Sequence, residues 1–95
     1  MSEGHDLSRT QIAKHGKDRY PTAWAQACKV SAELRELMAE LDAAEFGAAD
    51  GEVNDRIRAE YADVGLALFA FGNKVGLDLI ECMRELVAAD TRTFA

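Results

Sequence analysis

The chain has 95 residues, of which 48% are hydrophobic, with a single proline and a formal net charge of −6. That length suits one domain over residues 1–95 whose own core is modest, since a chain of this size buries only about 60 to 65% of its unfolded surface. The acidic balance argues against a broad surface for duplex nucleic acid. No run of about 18 apolar residues occurs, and the polar stretch Met1 to Lys17 carries no apolar leader core, so neither a membrane span nor an export signal is expected and the setting expected is the cytoplasm.

Ala and Leu dominate the apolar content over Val and Ile, which favours an all-α fold. Residues 1–6 read as a frayed end, followed by a short helix from Leu7 to His15 that stops at Gly16. A charged connector leads to Pro21, suited to a first helical turn, and to a long helix ending near Phe46. Trp24, Cys28, Val30, Leu34, Leu37, Met38 and Leu41 supply its apolar stripe, predicted to be core, with Glu33, Glu36 and Glu40 on the flank. Residues 47–51 form a turn, and Asn54 is a candidate N-cap for a helix lasting to Phe71. Gly72-Asn73 and Gly76 are expected to break it, Asp78 to cap a last helix reaching Ala89, and residues 90–95 to form a tail. Cys28 and Cys82 lie far apart without metal-ligand spacing, and are read as reduced, partly buried thiols.

Chemistry concentrates in two acidic pairs, Glu33-x-x-Glu36 and Glu60-x-x-Asp63. Spacing of i,i+3 places each pair on one face of one helix, and two such faces packed together would gather four hard oxygen ligands. Ionised carboxylates crowded in a partly dry site repel and cost several kcal/mol each, a conflict that Mg²⁺ or, alternatively, Mn²⁺ removes. Acidic pairs also decorate ordinary solvated helices. Asp63, however, abuts the apolar run Val64 to Phe71, where a carboxylate needs a reason.

In order and spacing, Glu33-Leu-Arg-Glu36-Leu, Glu60-Tyr-Ala-Asp63-Val and Gly76-Leu-Asp-Leu79 resemble the MazG-type nucleoside triphosphate pyrophosphohydrolases, over residues 18–94. The resemblance implies a four-helix-type bundle completed by a homodimer or a dimer of dimers, for which the Val64 to Phe71 helix is the expected interface. It also implies Mg²⁺-dependent cleavage between the α and β phosphates of a nucleoside triphosphate, with release of the monophosphate and pyrophosphate. Glu33, Glu36, Glu60 and Asp63 would then hold the metal, and Glu33 or Glu36 would orient or deprotonate the attacking water.

The last helix departs from the family pattern. Leu86 and Asp90 stand where related proteins often carry lysine and asparagine, so Leu86 offers no charge to a phosphate and ionised Asp90 no donor. Substrate contacts are accordingly expected from Lys29, Lys74, Arg84 and Arg92, from Asp90 if an amino group on the base meets it, and from Trp24 by stacking on the base. For Trp24 the alternative is simple packing, and for His15 simple solvation. A second function class is a non-catalytic helical dimer serving as an interaction or regulatory module.

Overall fold

The computed structural model describes residues 2–44 and 53–90, which form four α-helices and, among the described residues, no strand. They are α1 (Glu3–Lys14), α2 (Ala23–Ala43), α3 (Asp55–Val75) and α4 (Leu79–Ala89). The expected turn at 47–51 and the tail beyond Asp90 lie outside the described residues. Among the described residues, no helix is long and apolar enough to cross a membrane.

Local chemistry explains most of the boundaries. Thr22, Asn54 and Asp78 each accept a hydrogen bond from the backbone N–H three residues on, at 3.0 Å from Ala25, 2.9 Å from Ile57 and 3.2 Å from Glu81. Each bond satisfies a donor that the first turn leaves without a helical partner. Pro21 therefore precedes the cap and does not sit inside the first turn. At the other end of α3, Gly76 takes the left-handed conformation (φ 74°), and Leu77 N–H reaches back to Gly72 O at 3.0 Å, the bonding of a Schellman cap.

Gly72 and Asn73 do not break α3, which runs through them to Val75. Gly72 is present for space: a Cβ there would lie 2.6 Å from Leu77 O and 2.8 Å from Cε1 of His5. That close approach accommodates a buried polar knot which the frayed-end reading of residues 1–6 missed. His5 is fully buried (0% exposed) inside α1, which starts at Glu3 and not at Leu7. Its Nδ1 bonds Asn73 Oδ1 at 2.8 Å, its Nε2 accepts from Leu79 N–H at 2.9 Å, and its backbone oxygen accepts from Asn73 Nδ2 at 3.1 Å. An acceptor role at Nε2 requires the proton on Nδ1, so the ring is the neutral Nδ1–H tautomer. Phe69 closes the knot edge-on, 4.9 Å between ring centres. One side chain thus joins α1, α3 and the start of α4.

α3 is the hub, with α2 packed along it, α1 against it and α4 touching it only weakly. Gln26 meets Ala67 while Glu33 and Glu36 meet Glu60, so α2 and α3 run antiparallel. The molecule is flat, 41 × 40 × 22 Å, about two helix diameters thick. Its buried apolar residues, among those described, are Ile57, Ala67 and Ala70, beside four buried polar residues, His5, Ser8, Gln26 and Glu33.

The predicted core stripe of α2 is corrected by this packing. Trp24 is 80% exposed, Met38 60% and Leu34 47%, and Cys28 is exposed, as is Cys82. A single neighbouring helix covers only part of a broad stripe, and α2 turns the row containing Gln26 and Glu33 toward α3, leaving the far edge of the stripe outward. Tyr61, Leu68 and Val75 on α3 and Met83, Leu86 and Val87 on α4 are exposed as well.

Candidate metal centre and adjoining cavity

The antiparallel pairing of α2 and α3 sets the acidic pairs against each other. Carboxylate oxygens of Glu33, Glu36 and Glu60 all lie within 4.8 Å of one another. Asp63 stands one turn further along α3, outside that group of three but close enough for its charge to raise the Glu60 carboxyl and for the Glu33 charge to raise its own. Glu33 is buried to 5% exposure, and its Oε1 pairs with Lys29 Nζ one turn back on α2. Its Oε2 has no hydrogen-bond partner, and neither has the buried Oε2 of Glu60.

Electrostatics follow from that crowding. Desolvation, reinforced by the charges of Glu36, Asp63 and Glu33, pushes the Glu60 carboxyl above the ordinary range for glutamate. Desolvation and the Glu33 charge likewise raise Asp63, partly offset by Lys29. Lys29 is itself raised, first by its hydrogen bond to Glu33. One ammonium cannot neutralise four carboxylates, so the cluster is destabilising as it stands. A hard divalent cation fits the residues present: the donors are all oxygen, they come from two facing helices, and two buried oxygens among them lack a partner.

Beside the cluster opens a cavity of about 240 Å³. Lys29, Glu33 and Asp63 line one part of it, and the connector residues Lys17, Arg19 and Tyr20 another. Ser8 and Ile12 of α1, Gln26 of α2, and Leu66, Ala67 and Ala70 of α3 complete a mainly apolar wall. The connector is anchored by Asp18, whose carboxylate pairs with Lys74 and accepts from Tyr20 N–H at 2.9 Å. The Lys74 hydrogen bond holds Asp18 below the ordinary carboxylate range. Lys29 lies 5.4 Å from the centre of the Tyr20 ring, a cation–π contact joining connector and cluster.

The residues expected at the substrate are thus dispersed. Lys29 lines the cavity, whereas Lys74 is engaged with Asp18 and acts on the cavity through the connector. Trp24 is not among the lining residues, and Arg84, on exposed α4, pairs with Glu81 at 2.5 Å. Asp90 is the C-cap residue of α4, and Arg92 lies outside the described residues. His15, in the connector, lines the cavity, and Glu40, on the flank of the α2 stripe, is half-buried.

Gln26, Ser8, Arg19 and Tyr20 had not been singled out. For Gln26 a signal did exist: Gln26, Lys29, Glu33 and Glu36 recur at helical spacing, a polar row through an otherwise apolar helix. Ser8 and the connector residues reach the cavity only through the way α1 packs on α3, which no local pattern announces. The chain matches no protein-family model, no curated protein and no solved structure, so its own geometry carries the functional reading.

Proposed function

We propose that the protein is an Mg²⁺-dependent nucleoside triphosphate pyrophosphohydrolase of the MazG type, which cleaves the α–β phosphate bond to give a nucleoside monophosphate and pyrophosphate. The observation that carries this reading is the convergence of Glu33, Glu36 and Glu60 with two unpartnered buried oxygens, beside a cavity edged by Lys17, Arg19 and Lys29. Glu33, Glu36 and Glu60, with Asp63 adjacent, would hold the cation. Bound Mg²⁺ supplies charge neutralisation of the triphosphate, polarisation at the α-phosphorus and stabilisation of the departing pyrophosphate.

The chain's own residues do the remaining work. Glu36, the exposed member of the cluster, takes the proton of the attacking water as its oxygen bonds to the α-phosphorus and the bond to the bridging oxygen breaks. Glu33 is held in place by Lys29, whose ammonium also offers charge to the phosphates at the cavity edge. The Asp18–Lys74 pair keeps the cationic connector beside the cavity, so that Lys17 and Arg19 meet the ligand without first being ordered. A homodimer or dimer of dimers would cover the exposed apolar residues of α2, α3 and α4.

A second reading is a helical interaction module without turnover, favoured by the same exposure, with Trp24 at 80%, Val87 at 76% and Tyr61 at 73%. Purified protein should be incubated with canonical and modified nucleoside triphosphates and Mg²⁺, with pyrophosphate and orthophosphate read separately. Pyrophosphate release that disappears in Glu36→Gln supports the enzyme. No release from any nucleotide, together with no Mg²⁺ binding by calorimetry, moves the assignment to the module.

A further inference from the structure

Two nearly fully buried polar side chains stand in the apolar wall of the cavity, Gln26 at 3% exposure and Ser8 at 2%. Buried polar groups are expensive unless hydrogen-bonded, so their place in a ligand-sized cavity calls for an explanation. The amide of Gln26 has a determined orientation. Its Nε2 donates to the carbonyl of Ala67 at 3.3 Å, and a carbonyl oxygen only accepts, so the amide nitrogen must face Ala67. What remains for the cavity is the Gln26 carbonyl oxygen, which only accepts, together with the Ser8 hydroxyl, which can donate or accept.

We infer that this wall is the base-reading subsite, and that it selects nucleotides whose base carries an exocyclic amino group next to a ring nitrogen, as cytosine and adenine do. The amino group donates to Gln26 Oε1 and the ring nitrogen accepts from Ser8 Oγ. Uracil and hypoxanthine present a carbonyl where the amino group stands, so acceptor would face acceptor at Gln26 Oε1, whereas the Ser8 hydroxyl turns to donate to a ring nitrogen or to accept from a ring N–H and does not itself discriminate. Ile12, Leu66 and Ala70 pack on the faces and rim of the ring without reading it. Placement agrees with the chemistry, since Lys29, Glu33 and Asp63 border the same cavity and would hold the triphosphate end of a ligand seated there. The inference rests on the proposed nucleotide hydrolysis, and it goes further by naming the base class and the residues that read it. A site built to hydrogen-bond one edge rejects the mismatched analogue far more strongly than an apolar slot rejects a change of size.

Deaminated pairs test this directly, because dCTP against dUTP, and ATP against ITP, differ only at the edge in question. We expect kcat/KM for pyrophosphate release to favour the amino member of each pair by about 10- to 100-fold. Calorimetry with α,β-methylene analogues of dCTP and dUTP should show the same preference in Kd without turnover. Gln26→Leu should bring the ratio toward one, whereas Ser8→Ala should weaken both members of each pair and leave the ratio in place, with thermal melts confirming that both variants fold. Should Gln26→Leu fail to fold, the wild-type ratios still decide. Equal kcat/KM and equal Kd within both pairs, or a preference for the deaminated member, overturn the base assignment and leave hydrolysis standing. Preferential binding of the dCTP analogue with no turnover of any nucleotide supports the subsite and refutes the hydrolase. No binding of either analogue together with no turnover of any nucleotide overturns both.

Discussion

Two buried polar clusters lie roughly 20 Å apart along α3, given the rise of a helix, and they differ in one respect that separates structure from chemistry. Around His5 both ring nitrogens, its backbone oxygen and the Asn73 amide have partners, and with Leu79 N–H they close a network that ties three helices together. Around Glu33 the opposite holds, with like charges gathered, two buried oxygens unpartnered and two carboxyls pushed upward. A satisfied network rigidifies, whereas an unsatisfied one costs stability and persists where a ligand completes it.

If that contrast is right, removing charge from the second cluster removes function and spares the fold. Glu36→Gln and Asp63→Asn should each lower hydrolysis by several kcal/mol of transition-state stabilisation, on the order of a thousandfold. In metal-free buffer both variants should melt at or above the wild-type temperature, because repulsion is relieved. Mg²⁺ should raise the melting temperature of the wild type and barely move that of the variants. A variant that unfolds without metal would place the carboxylates among the supports of the fold.

The first cluster should respond in the reverse sense. His5→Ala leaves Leu79 N–H and the Asn73 side chain without partners and opens a cavity beside Phe69, costing about 2 to 4 kcal/mol in a denaturant titration with or without Mg²⁺. Gly72→Ala is a milder probe of the same place. A methyl group 2.8 Å from the His5 ring and 2.6 Å from Leu77 O forces a shift, worth about 1 to 3 kcal/mol of stability, although alanine is the better helix former.

The smallest effect is a difference in pH dependence. Asp63 and Glu60 bind protons more tightly in the folded state than when unfolded, so their ionisation penalises the metal-free fold at neutral pH. That penalty is lifted as pH falls through their raised values toward the ordinary carboxylate range. Asp18 acts in the other direction: its depressed value contributes stability above the ordinary aspartate range, lost as pH falls through the lowered value. Melting temperature without metal should therefore rise on mild acidification and fall at stronger acidity. Saturating Mg²⁺ should remove the rise, and calorimetry in buffers of different ionisation enthalpy should detect proton release when Mg²⁺ binds at weakly acidic pH. A rise that persists in Glu60→Gln/Asp63→Asn would assign it to other groups.

What the amino-acid sequence determined by itself are the features that depend on neighbours within one turn. Asn54 and Asp78 as caps, Ala89 as the end of α4 and the i,i+3 spacing of both acidic pairs were legible because each reflects bonds or periodicity three or four residues long. The all-α composition belongs with them. Tertiary packing decided the rest. It alone determined that α2 turns Gln26 and Glu33 inward and Trp24 outward, that Gly72 makes room for a ring from α1 and does not break the helix, and that an unremarkable His5 is fully buried. Nor could Ser8 and Gln26 be known to share a cavity wall, because they meet only once α1 and α2 have both packed on α3. Such contacts join residues far apart along the chain, and the free energy that selects them comes from the surface the assembled helices bury together, which no single segment encodes.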